Sequence, residues 1–190
     1  SKTITVCGPI NLGGNTIGFW QNKNGRDIIK KTGVITGTTT CKVTPWLRTY
    51  APFQGLSATA SCSAVATYAT NIIKAANASG ASMKAMLKAQ MLATALDVYY
   101  SDPALGGNKI GAPAPIGGVT VDLTWVKAGS GYQNVSGAFG GTPKTISEML
   151  AYAASQSNVG GTVWYGNVKS TQELAKNAFD AINNSWVFAP

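Results

Sequence analysis

The chain contains no histidine, and its 190 residues carry only 7 Asp and Glu against 15 Lys and Arg. General acid–base chemistry near neutral pH falls most often to His, then to carboxylates. Transition-metal sites draw on His, Cys and carboxylate clusters. Both toolkits are nearly empty here. Charged residues make up 12% of the chain, where about a quarter is usual. No run of about 18 apolar residues exists, so no membrane span is expected. The most apolar stretch, Met83 to Val98, is broken by Lys84, Lys88 and Gln90. No initiator Met or basic-then-apolar leader precedes Ser1, which reads as a removed signal peptide or a chain cut from something larger.

What replaces the charge is Gly (22 residues) together with Thr, Ser and Asn, a balance associated with secreted or surface-displayed proteins. Hydrophobic residues reach 45%, so the chain has the means to fold. Its length fits one domain, spanning 1–190, with an N-terminal strand at 1–8 and a globular module at 16–190. Three cysteines, Cys7, Cys41 and Cys62, leave at least one unpaired within the chain. None stands in a CxxC pair, which argues against zinc and thioredoxin-type redox chemistry. Cys41–Cys62 is the expected disulfide, closing a loop whose entropy contributes about 3 kcal/mol. The alternative is three buried thiols. With the disulfide formed, Cys7 is buried or bonds to another copy. The net charge of +8 favours acidic polysaccharide, cell wall or nucleic acid as surroundings. Because the lysines are scattered and only Lys30 and Lys31 adjoin, nucleic acid is the least favoured.

Lys2 to Cys7 alternates as a strand should, and Gly8-Pro9 breaks it. A short strand is expected over Thr16–Trp20, then a turn over Asn22–Gly25 and a brief helix over Arg26–Lys31. Thr-rich Val34–Val43 reads as a strand or hairpin. Helical spacing of Val65, Tyr68, Ile72 and Ile73 predicts a helix within Ser57–Ala78. The strongest element is Ser82–Tyr99, apolar nearly all round and therefore a buried central helix. Pro/Gly-rich Asp102–Gly118 is a long loop. Val119, Val121, Leu123 and Trp125 alternate as one half-buried strand. Two capping boxes, Thr145 with Glu148 and Ser170 with Glu173, announce two more helices. Trp186–Phe188 reads as a closing strand. The expected fold is one compact α+β domain around the central helix, with short, mostly antiparallel strands.

Recognisable catalytic motifs are few. Lys31-Thr32-Gly33 matches one piece of the serine β-lactamase set, yet no Ser lies three residues before a Lys. Asp97, Asp102 and Asn108 flank a loop and offer oxygens for calcium. A two-carboxylate hydrolase needs a close pair, for which the sequence offers Asp97 with Asp102 or Asp27 with Asp122. The bland reading makes Asp97 a helix end and Asp102 a turn. Trp46, Tyr50, Phe53, Tyr99, Tyr100, Tyr132, Trp164 and Tyr165 could stack on sugars, although such residues more often fill cores. Sequons stand at Asn77, Asn134 and Asn183.

Thr16-Ile17-Gly18-Phe19-Trp20-Gln21-Asn22-Lys23-Asn24-Gly25 resembles the opening signature of a family of bacterial and archaeal extracellular modules, Gly-aromatic-Trp-x-Asn followed by Lys or His. Leu87–Val98 is similar to that family's central helix, where Asn often replaces Asp97. Thr145–Ala154 and Ala178–Asn184 are similar to its later helices. The resemblance covers nearly the whole chain after Gly14. It implies an extracellular location, often within larger surface proteins, and no established catalytic site; Lys23 in place of His removes one candidate metal ligand. Read physically, Gly18 allows a close backbone approach, Phe19 and Trp20 anchor opposite faces, and Asn24-Gly25 supplies a turn with positive φ. Trp20 and Asn22 are also candidates for ligand contact.

These readings converge on a structural subunit of an extracellular filament, sheath or surface layer, made of copies of this chain. Thr3, Ile4, Thr5 and Val6, or Trp186, Val187 and Phe188, are the candidates to complete a neighbour's sheet by strand addition. The alternative is an adhesion module for acidic polysaccharide, and the third reading a low-turnover hydrolase. No cofactor is expected.

Overall fold

A computed structural model describes residues 8–190; the expected strand residues Thr3, Ile4, Thr5 and Val6, and Cys7, lie outside the described residues. The centre of the molecule is a helix, Met83–Ser101 (α5 below). Ser82 starts it, its hydroxyl accepting from the Ala85 amide at 3.1 Å. From Met91 onward every residue to Ser101 is buried, as its all-round apolar sequence predicts. Leu87, Leu92 and Leu96 are fully covered, each burial stabilising by about 1.5–3 kcal/mol.

The elements before it in chain order are α1 (Ile17–Gln21), α2 (Lys23–Lys30), α3 (Val43–Leu47) and α4 (Cys62–Ala76). Those after it are β1 (Thr120–Asp122), β2 (Val126–Ala128), β3 (Gly131–Gln133), β4 (Pro143–Thr145), α6 (Ile146–Ser155) and α7 (Lys169–Asn183). The described residues thus form a compact α+β domain. Two small antiparallel sheets pair β1 with β4 and β2 with β3. Helices α4 and α7 both pack on α5. Buried Asn183 ties α7 to α5: its amide donates to the Gln90 carbonyl at 3.0 Å and its oxygen accepts from Thr94 at 2.9 Å. Cys41 and Cys62 form the expected disulfide across 21 residues, anchoring the first residue of α4 to the loop that leads into α3.

Several local expectations are corrected. Thr16–Trp20 is helical, because the Thr16 hydroxyl caps the Phe19 amide at 3.4 Å and starts α1. Asn22 then breaks the chain in an extended conformation and α2 begins at Lys23, so Asn24 and Gly25 lie inside a helix, not in a turn. The close approach assigned to Gly18 belongs to Gly25. A Cβ on Gly25 would meet the Phe19 carbonyl oxygen and sit 2.6 Å from Trp20 Cα, whereas one on Gly18 would find only Thr16 Oγ1 at 3.7 Å. Val34–Val43 keeps a single antiparallel bridge, Val34 to Cys41, and α3 claims Val43.

The expected strand Val119–Trp125 ends at Asp122. Its carboxylate accepts from the Thr124 amide at 2.9 Å and hydroxyl at 2.6 Å, a local turn that sends Trp125 onto the next hairpin. The Thr145–Glu148 capping box forms, with bonds of 3.0 and 3.1 Å. The Ser170–Glu173 box does not, because the helix has already begun: the Gln172 amide donates to the Val168 carbonyl at 3.1 Å and no side chain caps α7. The segment Trp186–Phe188 is not a ladder strand. Its carbonyls go to three places, accepting from Lys127 (3.2 Å), Ile10 (2.8 Å) and Asp122 (2.8 Å) for Trp186, Val187 and Phe188 in turn. It thereby clasps both sheets. Among the described residues no helix is long and apolar enough to cross a membrane.

Candidate functional site: an exposed aromatic surface

The Gly18-Phe19-Trp20 segment contributes Trp20 to the core. Trp20 is fully buried, and its indole Nε1 donates to Asp97 Oδ1 at 3.0 Å; the Asn15 amide donates to the same oxygen at 2.8 Å. Two residues 77 positions apart therefore meet in one hydrogen bond. Asp97 Oδ2 is buried without a partner. Burial pushes the Asp97 carboxyl well above the usual carboxylate range, against the opposing pull of the Asn15 and Trp20 hydrogen bonds. Phe19 packs edge-on against Trp20 at 5.1 Å and is partly buried, so the two rings share one cluster instead of anchoring opposite faces. The ligand role considered for Trp20 is closed by this burial, and Asn22 is exposed.

The oxygens considered for calcium are committed elsewhere. Asp97 is held under Trp20, Asp102 Oδ1 caps the Ala104 amide at 2.8 Å, and Asn108 makes a two-way bond with the Ala112 backbone at 2.9 and 3.0 Å. Among the described residues no three His, Cys, Asp or Glu side chains gather as a metal set. Asp97 is sealed from substrate and Asp122 is engaged by Thr124, so neither carboxylate pair considered for hydrolysis has both members free. The sequon at Asn183 is buried in the α5–α7 contact and out of reach of a glycan.

Of the eight aromatics considered for sugar stacking, Phe53, Tyr99, Tyr100, Trp164 and Tyr165 are buried, and Trp46 and Tyr50 pack on the core. Tyr132 differs: it is 50% exposed, beside Trp125 at 51%. In the β2–β3 register Lys127 faces Tyr132, and Trp125, two residues before Lys127, shares its side of the hairpin. The Trp125 and Tyr132 rings stack face to face, 4.4 Å apart and 5° from parallel. Phe188 lies 6.0 Å from Tyr132. Lys127 Nζ sits 4.4 Å above the ring of Trp186, itself 37% exposed. The stack contributes about 0.5–1.5 kcal/mol and the cation–π contact about 0.5–1 kcal/mol.

Four aromatic rings and one lysine thus form a continuous surface where the C-terminal segment clasps the hairpin. Two of the assembly candidates, Trp186 and Phe188, belong to it, while Val187 is buried beneath. Trp125 was hidden in the sequence by its place at the end of an alternating run. The Asp122-Leu123-Thr124 turn signal was the available clue that the run stops short. Large exposed Trp and Tyr side chains favour contact with another surface, since they bury much area at low entropic cost. Compared with protein-family models, with curated proteins and with solved structures, the chain matches none.

Proposed function

We propose that this protein is a non-catalytic structural subunit of an extracellular assembly, and that copies of it meet through the Trp125–Tyr132–Trp186–Phe188 surface. The observation that carries the reading is the half-exposed, coplanar Trp125–Tyr132 stack laid against the C-terminal segment. The Cys41–Cys62 disulfide fits an oxidising, extracellular setting. Ile10 donates to Val187 on the same segment, so the first described residues run beside this surface. A neighbour's strand Thr3–Val6 docking there is the form of strand addition that suits it. The test is sedimentation of the parent and of a Trp125→Ala/Tyr132→Ala double variant over a range of concentrations. Concentration-dependent large species in the parent alone support the reading; equal assembly by both removes it.

A second reading rests on Lys127 over Trp186 and on the net charge of +8. The same surface then holds acidic polysaccharide, with rings stacking on sugars and Lys127 near their carboxylates. That reading expects salt-sensitive binding to uronic-acid glycans that Trp125→Ala weakens. A flat response across an acidic glycan array rules it out.

A further inference from the structure

Asn134-Val135-Ser136 joins β3 to a short 3₁₀ turn, Ser136–Ala138. Val135 is fully buried and its amide donates to the Leu123 carbonyl at 2.8 Å, so the middle of this sequon is anchored while Asn134 stays exposed. Asn134 Oδ1 accepts from the Ser136 amide at 3.0 Å and from the Ser136 hydroxyl at 2.6 Å. The two bonds hold the side-chain amide by its oxygen, and Nδ2 has no acceptor among the described residues. The other two sequons differ. Asn183 Nδ2 donates to the Gln90 carbonyl and to Gln90 Oε1, both at 3.0 Å, inside the α5–α7 contact. Asn77 is exposed at the end of α4, but among the described residues no bond joins it to Ser79.

We propose that Asn134 is a site of N-linked glycosylation, taking an oligosaccharide from a lipid-linked pyrophosphate donor. The proposal rests on the extracellular reading above, since the sequon is used in secreted chains. In the transfer Nδ2 forms a bond to the anomeric carbon of the first sugar. The bond from that carbon to the pyrophosphate oxygen breaks, and the lipid pyrophosphate leaves with the electron pair. The Nδ2 proton goes to a base of the transferase. An amide nitrogen is a poor nucleophile because its lone pair is shared with the carbonyl. Two donors on Oδ1 draw charge toward the oxygen, which makes the Nδ2 proton easier to remove. The Ser136 hydroxyl, the group the sequon requires, makes the shorter of the two bonds. Asn134 follows Tyr132 by two residues and so shares its side of the strand. The carbohydrate therefore borders the Trp125–Tyr132 surface.

The experiment is peptide mapping of the protein purified from its native source. Trypsin, cutting after Lys74, Lys84, Lys127, Lys144 and Lys176, puts each sequon on its own peptide. Carbohydrate mass on the peptide Ala128–Lys144, localised to Asn134 by electron-transfer fragmentation, is the expected result, with Asn177–Pro190 bare. Asn134→Gln and Ser136→Ala, each expressed in the same host, are expected to lose that mass while circular dichroism shows the fold intact. Trp125→Ala/Tyr132→Ala is expected to keep it, which separates the modification from assembly. A bare Ala128–Lys144 peptide, carbohydrate on Asn77 alone, or a mass on Asn134 that survives Ser136→Ala overturns the proposal. Bare protein recovered outside the cell overturns it and leaves the extracellular reading standing; bare protein confined to the cytoplasm overturns both.

Discussion

Replacing Asp97 with asparagine is expected to stabilise the protein at neutral pH and not in acid. In the folded chain the carboxyl is fully buried, and burial raises its pKa well above the ordinary value of 3.8. The native state therefore keeps a proton that the unfolded chain releases. For a carboxyl shifted in this direction, stability is complete below the unfolded pKa and falls as pH rises, until pH passes the folded pKa. The loss is about 1.4 kcal/mol for each pH unit between the two values. The side chain introduced by Asp97→Asn keeps an oxygen to accept from Trp20 Nε1 and the Asn15 amide, the two bonds of 3.0 and 2.8 Å that Asp97 makes. It has no proton to lose. At Oδ2, which has no partner, the amide places an N–H₂ where the protonated acid places a hydroxyl, at a cost of about 1 kcal/mol or less. The assay is urea denaturation of both proteins from pH 4 to pH 8. Subtracting the two curves cancels other titrating groups, including Asp180, whose pKa burial also raises, and Glu148, which its Thr145 bonds hold low. The variant should match or slightly trail the parent near pH 4 and lead it progressively above. A difference that is flat with pH, or one in which the parent gains on the variant as pH rises, refutes the reasoning.

Three other perturbations probe the packing and the assembly. Gly25→Ala should destabilise by about 1–3 kcal/mol in urea denaturation, since its Cβ meets the backbone of α1, which cannot rotate away. Replacing Cys41 and Cys62 by Ser should lower stability by about 3 kcal/mol, the entropy of closing a loop of this length, read as a shift in the denaturation midpoint. Deleting Ser1–Val6 should abolish assembly while leaving the far-ultraviolet circular dichroism and thermal transition of the monomer in place; intact polymers from the shortened chain sink strand addition at that end.

The central helix was the most legible feature, because a helix buried on every side needs apolar residues on every side, and Leu87–Val98 supplies them. The Thr145–Glu148 box and the Cys41–Cys62 pairing were legible for a similar reason, each resting on residues close in sequence or on simple counting. Thr16–Trp20 misled because a five-residue alternation fits a strand and a capped helical turn equally well. The outcome hung on whether the Thr16 hydroxyl capped Phe19. Ser170–Glu173 misled because a box signature does not say where the preceding turn hands over to the helix. The Trp20–Asp97 bond could not be read from spacing at all, since its partners meet only after α1 packs on α5. The only acid in α5 was nevertheless a sign that something there must satisfy it. The aromatic surface depended on a three-residue error in the end of β1, enough to move Trp125 from the core to solvent.

The most direct test of the structural-subunit account is electron microscopy of the purified protein at several concentrations in near-physiological salt, beside the Trp125→Ala/Tyr132→Ala variant. The account predicts regular filaments or sheets from the parent and dispersed particles from the variant. Dispersed parent monomers at every concentration, or assemblies indifferent to the two substitutions, contradict it.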